Sequence, residues 1–130
     1  MTAPLVTVAS GRGFQDTLNA LMGSLERRGL QVFAAIDHAA NAKAAGLELR
    51  PTTVVIFGSA KAGTPLMQAQ QSLGLDLPLR MLVCEDEDGV RLVYREPAAI
   101  MQAHGLGPDG MPSVTAMSAL MAALAEDSTG

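Results

Sequence analysis

Apolar residues recur every three or four positions in one segment near the start of the chain. They are Phe14, Leu18, Leu21, Met22 and Leu25. This spacing places them on one face of an amphipathic helix. Two arginines and a glycine follow at 27–29, as is typical of a helix C-terminus, where cations favour the negative dipole end and glycine accepts the left-handed cap. We therefore predict a helix here, preceded by a short strand over Leu5–Ala9.

Two further segments have the composition of strands. Residues 30–36 predict a strand in which Leu30, Val32, Ala34 and Ile36 share one face. Residues 52–57, TTVVIF, form a continuous run between Pro51 and Gly58. Because such a run suits a strand that is covered on both faces, we predict a central strand here.

The clearest hairpin joins residues 79–87 to residues 90–95. An Asp-Gly dipeptide lies between them at 88–89 and favours a two-residue turn. With that turn, Asp86 lies opposite Arg91, and the opposite charges support the pairing.

Three more segments favour helices. Thr64 is placed to cap a helix of about two turns that begins at Pro65, since proline fits the first helical position. A second short helix begins at Pro97. A third covers about residues 113–126, with Ser113 as its cap and apolar residues along one side.

The order of these elements decides the fold class. It lacks the regular strand–helix alternation of a doubly wound sheet, and the hairpin requires antiparallel pairing. We therefore predict an α+β fold in which helices pack on one face of a mostly antiparallel sheet. The 130 residues contain no repeat and no linker, so we expect a single domain over 1–130.

Charge and composition exclude some classes of partner. The net charge is −4, and the sequence has no cluster of lysine and arginine for a phosphate backbone. Aromatic residues make up 3%, too few to stack single-stranded bases. We therefore expect no nucleic-acid partner.

The sequence also gives no sign of a disulfide, a metal site, a leader or a membrane segment. Cys84 is the only cysteine, and His38 and His104 are the only histidines. The first ten residues lack the basic start of a secretory signal. The apolar stretch MSALMAALA is too short to span a bilayer. We expect a cytoplasmic protein without metal or cofactor.

The loop that follows the predicted central strand is the first candidate for a site. It runs through Gly58, Ser59, Lys61, Gly63 and Thr64. Backbone N–H groups at a helix start, together with a lysine, are the parts of an anion site. The order differs from a phosphate-binding P-loop, in which Lys directly precedes Ser or Thr. The alternative is that the glycines make a tight connection, the threonine caps the helix and the lysine is solvated.

Two other places offer acid–base or nucleophilic chemistry. Asp37 and His38 are adjacent at a strand end, where the histidine is a candidate general base. Alternatively, Asp37 closes an Asx-type turn and His38 starts the next loop. Cys84 is a candidate nucleophile if a cation such as Arg80, four residues away on the same face, lowers its pKa; otherwise it packs as a small apolar residue.

Several motifs occur in a specific order along the chain. They are FAAIDH (33–38), AKAAGL (42–47), LRPT (49–52), FG (57–58), KAGTPLM (61–67), LDLPL (75–79), LV (82–83) and ED (85–86). Over about residues 5–105, this set resembles the bacterial and archaeal family called domain of unknown function 302. Where the family usually has Asn-Pro after Phe-Gly, this chain has Ser59 and Ala60.

The resemblance implies a fold similar to the TATA-binding-protein-like class and assembly as a homodimer. It implies no DNA binding, because fold is not function. It carries no established catalytic residue. Carried over position by position, the matches are Asp37, His38, Phe57, Gly58, Lys61, Gly63, Thr64 and Asp76. The candidate ligand-binding residues are these residues apart from Phe57, together with Ser59 of the same loop.

Three hypotheses about function follow. The first is a dimeric binding or accessory module that holds a small anionic ligand or a protein partner near residues 57–79. The second is a purely structural homodimer with no ligand. The third is an enzyme that uses His38 as a general base, with Cys84 as the candidate nucleophile.

Overall fold

The computed structural model describes residues 4–106 and 112–130, except for the side chains of Pro112 and Ser113. The elements follow in chain order: β1 (Leu5–Ala9), α1 (Phe14–Arg27), β2 (Gln31–Asp37), α2 (His38–Ala44), β3 (Thr52–Gly58), α3 (Ala60–Ala69), a 3₁₀ helix (Gln71–Leu75), β4 (Leu79–Asp86), β5 (Gly89–Arg95), α4 (Pro97–Ala103) and α5 (Pro112–Thr129).

Within the described residues, five strands form one sheet in the order β1-β5-β4-β3-β2, and all four pairings are antiparallel. Helices supply the core on one face only. The helical core residues at most 1% exposed include Leu21, Leu25, Leu66, Leu73, Met101, Met121 and Leu124. They pack against alternate strand residues such as Val55, Phe57, Met81, Val83 and Leu92. The predicted α+β class is confirmed.

The prediction for β3 is right in its position and wrong in its cover. The strand is interior, because it lies between β4 and the edge strand β2. The helices cover one face of β3, so Val55 and Phe57 are buried while Val54 and Ile56 on the other face stay partly exposed. Alternate residues of the apolar run therefore lie in the core and on the opposite face of the sheet, which the helices leave uncovered and which we call the open face.

The prediction that the even-numbered residues of β2 share one face is wrong. A bulge at Phe33 shifts the register, so Val32 lies opposite Phe57 whereas Ala34 lies opposite Ile56. An extra residue in one strand reverses the alternation beyond it. As a result, Val32 faces the helices, and Ala34 lies on the open face.

The hairpin exists, but its predicted register is wrong by two residues. Asp86 lies opposite Gly89, and Cys84 lies opposite Arg91. The turn therefore begins one residue earlier than predicted: the Asp86 carboxylate accepts a 2.8 Å hydrogen bond from the N–H of Asp88. Gly89 has φ +121, a conformation that favours glycine. Arg91 still forms an ion pair with Asp86.

The predicted bounds of two helices are also wrong. Helix α3 begins at Ala60, so Thr64 is not its cap and Pro65 lies inside it. Helix α5 continues past residue 126 to Thr129. Its last turn is held because Ser128 and Thr129 are buried and donate hydrogen bonds to carbonyls one turn earlier. The predicted cap by the Ser113 side chain lies outside the described residues.

Candidate functional site

An apolar cavity of about 200 Å³ opens where β3 runs into α3. Its wall includes most of the loop singled out from the sequence, together with Leu77 and Pro78 before β4 and one side of α5. The lining residues are Leu30, Phe33, Phe57, Gly58, Ser59, Ala60, Ala62, Gly63, Thr64, Met67, Leu77, Pro78, Leu79, Met117 and Leu120. We call this cavity the β3–α3 pocket.

Small residues create the space in the β3–α3 pocket. A Cβ atom on Gly58 would lie 3.6 Å from Pro78 and 3.9 Å from the ring of Phe33. A Cβ atom on Gly63 would lie 3.9 Å from both Leu77 and Met67. The two glycines therefore leave room between larger side chains, which explains why they matter here without positive φ angles.

The polar groups of the β3–α3 pocket lie where α3 begins. Ser59 is the N-cap of α3, and its side chain makes no capping hydrogen bond. Lys61 is exposed in the first turn, between two alanines that line the pocket. The N–H groups of Ala62 and Gly63 are already bonded to the Ser59 carbonyl. The site can accept an apolar group inside, with a cation and a helix start near its rim.

Asp37 and His38 lie away from the β3–α3 pocket. Asp37 is opposite Thr53, near the start of β3, whereas the pocket is lined by Phe57 and Gly58 at the end of that strand. Thr53 and Phe57 are about 13 Å apart along the strand. The Asp37 carboxylate caps α2 by accepting a 2.8 Å hydrogen bond from the N–H of Ala40, and His38 is the exposed first residue of that helix.

Asp37 also borders an open concavity at its own end of the sheet. The concavity is lined by Phe14, Asp37, Ala39, Ala40, Lys43, Leu47, Glu48, Leu49, Arg50 and Pro51. Its side chains include both signs of charge. The structure therefore brings together Gly58, Ser59, Gly63 and Thr64, with Lys61 beside them, and places Asp37 and His38 elsewhere.

Asp76 belongs to a third location, between the 3₁₀ helix and the end of α4. Its carboxylate lies 2.5 Å from Nε2 of His104, and the other ring nitrogen, Nδ1, lies 2.8 Å from the hydroxyl of Ser72. The amide of Gln70 donates a 2.8 Å hydrogen bond to the His104 carbonyl. Sequence reasoning missed Ser72 and His104, because the histidine is 28 residues from Asp76 and 32 from Ser72, and no local motif signals the contact.

Cys84 is buried on the open face of the sheet, opposite Arg91. A hydrogen bond with Cys84 and the nearby Asp86 carboxylate raise the pKa of Arg91. The cation near the thiol is thus Arg91 on the neighbouring strand. Across the described part of the chain, no hydrogen bond joins Cys84 to His38.

Two further findings apply to the described residues alone. Residues 4–106 and 112–130 contain no group of three His, Cys, Asp or Glu side chains arranged to hold a metal ion. No helix within these ranges is both long enough and apolar enough to cross a membrane.

The chain resembles known proteins both in sequence and in structure. Residues 6–126 match the family described as Domain of unknown function DUF302. Across 114 residues, 87% of this chain, it is 42% identical to "Fluoride-specific ion channel FluC 1" of Brucella suis biovar 1 (strain 1330) and to "Fluoride-specific ion channel FluC 2" of Brucella melitensis biotype 1. These stretches cover 45% and 42% of the two relatives, so the chain spans less than half of their length.

A solved structure shares the fold. The crystal structure of an uncharacterized conserved DUF302 protein from Bacillus stearothermophilus aligns with a TM-score of 0.85, over 95% of this chain and 97% of that one. The sequence identity is 16%, so this likeness bears on the fold alone. The family match over residues 6–126 shows that the chain belongs to the family described as domain of unknown function DUF302.

Proposed function

We propose that the chain is a binding module whose β3–α3 pocket receives a small apolar group. The observation that carries this proposal is the pocket itself: about 200 Å³, walled mainly by aliphatic and aromatic side chains. A dry apolar cavity of about 150 Å³ is large enough for benzene. The β3–α3 pocket therefore suits a group of roughly six to eight carbon atoms or one large apolar side chain of a partner.

The predicted anionic ligand fits this pocket only in a modified form. Apart from Ser59 and Thr64, the lining side chains offer no hydrogen-bonding group, so a bare phosphate would be poorly solvated inside. A short carboxylic acid would bury its chain and keep its charge at the rim, near Lys61 and the start of α3. This ligand class narrows the small anion expected from the loop to one with an apolar chain.

The test uses straight-chain carboxylates of four to eight carbons and the matched alcohols, followed by amide chemical shifts. We expect the longer compounds to shift residues of the β3–α3 pocket. Gly63→Val should abolish these shifts by filling the cavity, and Ala69→Val, at the exposed end of the same helix, should leave them. If no compound shifts the pocket at millimolar concentration, the apolar site is refuted.

A lysine variant separates the charge from the cavity. Lys61→Ala should weaken binding of the acids and leave that of the alcohols unchanged. If Lys61→Ala weakens the acids and the alcohols equally, the lysine does not recognise the carboxylate, and only the apolar part of the ligand remains proposed.

We also propose that the open face of the sheet is the contact surface of a homodimer. Four apolar residues lie side by side across four strands: Ile36, Val54, Leu82 and Val93. They are only partly exposed within one chain. Runs such as TTVVIF are typical of strands covered on both faces, and a second copy would supply the missing cover.

Charge on the open face supports a self-complementary contact. Arg80 lies near the start of β4 and Asp86 at its end, about 20 Å apart along the strand. If a second sheet packs with its β4 reversed, each Arg80 meets the partner's hairpin, where the four acidic residues at 85–88 outnumber Arg91, the cation already paired with Asp86. Five strands of about six residues present roughly 500 Å² per copy, which reaches the lower limit of about 1,000 Å² in total for a specific interface.

The oligomeric state tests this contact. We expect a concentration-dependent dimer in analytical ultracentrifugation, and Leu82→Glu should shift it to monomer. Leu75→Glu is the control, because Leu75 is 80% exposed and lies outside the sheet. A wild-type chain that stays monomeric at millimolar concentration would refute the dimer. A dimer without ligand binding would instead favour the purely structural alternative.

A second candidate function comes from the curated relatives. We propose that the chain acts as an accessory domain of a fluoride channel, because proteins named as fluoride-specific channels contain a 42% identical region that is less than half of their length. The test removes the matched region from the Brucella suis protein and measures fluoride efflux from vesicles. Altered efflux that this chain restores, when fused in its place, supports the proposal; unchanged efflux contradicts it.

A further inference from the structure

Ser72, His104 and Asp76 form a continuous hydrogen-bonded series outside the β3–α3 pocket. The Ser72 hydroxyl lies 2.8 Å from Nδ1 of His104, and Nε2 of the same ring lies 2.5 Å from the Asp76 carboxylate. Serine and aspartate come from the segment Gln71–Asp76, and the histidine follows α4 as its C-cap. Three residue types that act together in nucleophilic catalysis are thus linked through the histidine.

The carboxylate decides which nitrogen of His104 carries the proton. An ionised carboxylate only accepts hydrogen bonds, so Nε2 must be the N–H donor toward Asp76. In the neutral ring, Nδ1 then has its lone pair directed at the Ser72 hydroxyl. This is the arrangement in which an imidazole removes a proton from serine and the carboxylate stabilises the imidazolium that forms.

The surroundings hold the base in place and leave the serine accessible. The His104 side chain is 11% exposed, and its carbonyl accepts the hydrogen bond from the Gln70 amide. Ser72 itself is exposed. Its neighbours Gln71 and Gly74 line an open surface groove together with residues of α3. A small molecule can therefore approach Ser72 without any opening of the core.

We propose that Ser72 is a nucleophilic serine that accepts acyl groups from small activated esters. Its Oγ attacks the ester carbonyl carbon while the hydroxyl proton passes to Nδ1 of His104. The carbon–oxygen bond to the leaving alcohol breaks, and the alcohol takes that proton from the imidazolium. Water then attacks the acyl-serine with His104 again as base, which releases the acid and restores the hydroxyl. Asp76 is a positioning residue, because it acts through the histidine.

The first test exposes the full chain to p-nitrophenyl acetate and maps acetylated peptides by mass spectrometry. We expect Ser72 to be acetylated, and His104→Gln to lower the rate by about 100-fold, the usual contribution of a general base. Ser72→Ala should abolish the adduct at this position. Ser10→Ala is the matched control, since Ser10 is hydrogen-bonded to Thr17 and not to a histidine.

The role of Asp76 has a separate signature. Asp76→Asn should reduce acetylation and let the proton of the neutral His104 ring move to Nδ1, because the amide can donate a hydrogen bond to Nε2 whereas the carboxylate can only accept one. The ¹⁵N chemical shifts of the ring report this change of tautomer. A purely structural carboxylate would change the thermal melt and leave the tautomer in place. Such a result would remove Asp76 from the proposal.

A thiol provides a test that does not depend on ester chemistry. In a Cys84→Ser background, Ser72→Cys should react with iodoacetamide faster than it does when combined with His104→Gln, because the imidazole draws the proton from the thiol. Circular dichroism melts confirm that each variant is folded. If neither the serine nor the introduced thiol depends on His104, the proposal is overturned. The binding proposal for the β3–α3 pocket stands or falls independently of this result.

Discussion

The hydroxyl of Ser24 in α1 donates a 2.7 Å hydrogen bond to the carboxylate of Asp127 in α5, 103 residues further along the chain. Arg28, one turn later in the chain, reaches the same carboxylate oxygen at 3.0 Å. Ser24 is fully buried, whereas the Asp127 side chain remains 37% exposed. This contact joins the first helix to the last turn of the last helix.

Acid should weaken the α1–α5 contact in a defined pH range. The hydrogen bonds from Ser24 and then Arg28 lower the pKa of Asp127 below its ordinary value of 3.8, since both favour the charged carboxylate. A carboxyl group whose pKa is lower in the folded chain stabilises it above pH 3.8, and this stabilisation is lost as the pH falls through the folded pKa. Asp127→Asn should therefore have a lower free energy of unfolding than wild type at pH 7. Below pH 3.8 the difference in free energy of unfolding between the two proteins should become smaller.

Urea denaturation at pH values from 7 down to 2.5 measures this effect. Glu126→Gln is the control, because it changes the charge of the exposed neighbour and should keep the wild-type pH profile. A constant difference between Asp127→Asn and wild type across the whole range would contradict the assignment.

Two phenylalanines near the β3–α3 pocket should contribute very differently to stability. Phe57 is fully buried in the core, and Phe33 on the bulge of β2 is 47% exposed. Phe57→Ala should cost about 3–5 kcal/mol through lost burial and the cavity left behind. Phe33→Ala should cost roughly 1 kcal/mol or less. Chemical denaturation measures both variants, and equal losses would mean that Phe33 is buried in solution, as it would be under a bound partner.

The fold class followed from local patterns because each pattern had one strong physical cause. The apolar stripe of α1 needed a core to cover it, and the Asp-Gly dipeptide pointed to a hairpin. Details that depend on single contacts could not be predicted from the sequence. The bulge at Phe33 has no marker in the sequence, and the hairpin register was set by the Asp86 side chain binding the N–H of Asp88. The dipeptide is the usual turn signal, yet here its glycine begins β5.

The candidate site was predictable only in part. Residues close in sequence around Gly58 and Gly63 do line one cavity, which the loop composition suggested. The apolar nature of that cavity depends on α5, whose contribution comes from residues more than 50 positions away. The Ser72–His104 contact likewise joins separate elements. A single sequence gives no sign of such pairs, because they arise from how the helices pack.

The turn between β4 and β5 should be sensitive to one glycine. Gly89 has φ +121, where a side chain is strained, although a Cβ atom there would meet nothing within 4 Å. Gly89→Ala should therefore lower the free energy of unfolding by about 1 kcal/mol or more through backbone strain alone. Gly11→Ala is the control, since Gly11 lacks a positive φ and its Cβ would lie an ordinary 3.7 Å from the Thr129 carbonyl. Equal melts for the two variants would show that the turn adopts a relaxed conformation.

At Gly63, a substitution that stabilises the fold should weaken ligand binding in the β3–α3 pocket. It lies inside α3, where glycine costs about 0.5–1 kcal/mol relative to alanine, and its Cβ would make ordinary contacts at 3.9 Å. Gly63→Ala should therefore raise the free energy of unfolding by about this amount, while its methyl group reduces the volume of the β3–α3 pocket. Ala62→Gly, the reverse change at the exposed neighbour, should lower stability by a similar amount. Urea denaturation measures both, and the chemical shifts induced by the longest carboxylate should weaken in Gly63→Ala. A destabilised Gly63→Ala would mean that Leu77 and Met67 cannot accept the methyl group, so that the glycine is required by packing and the volume it leaves is not free for a ligand.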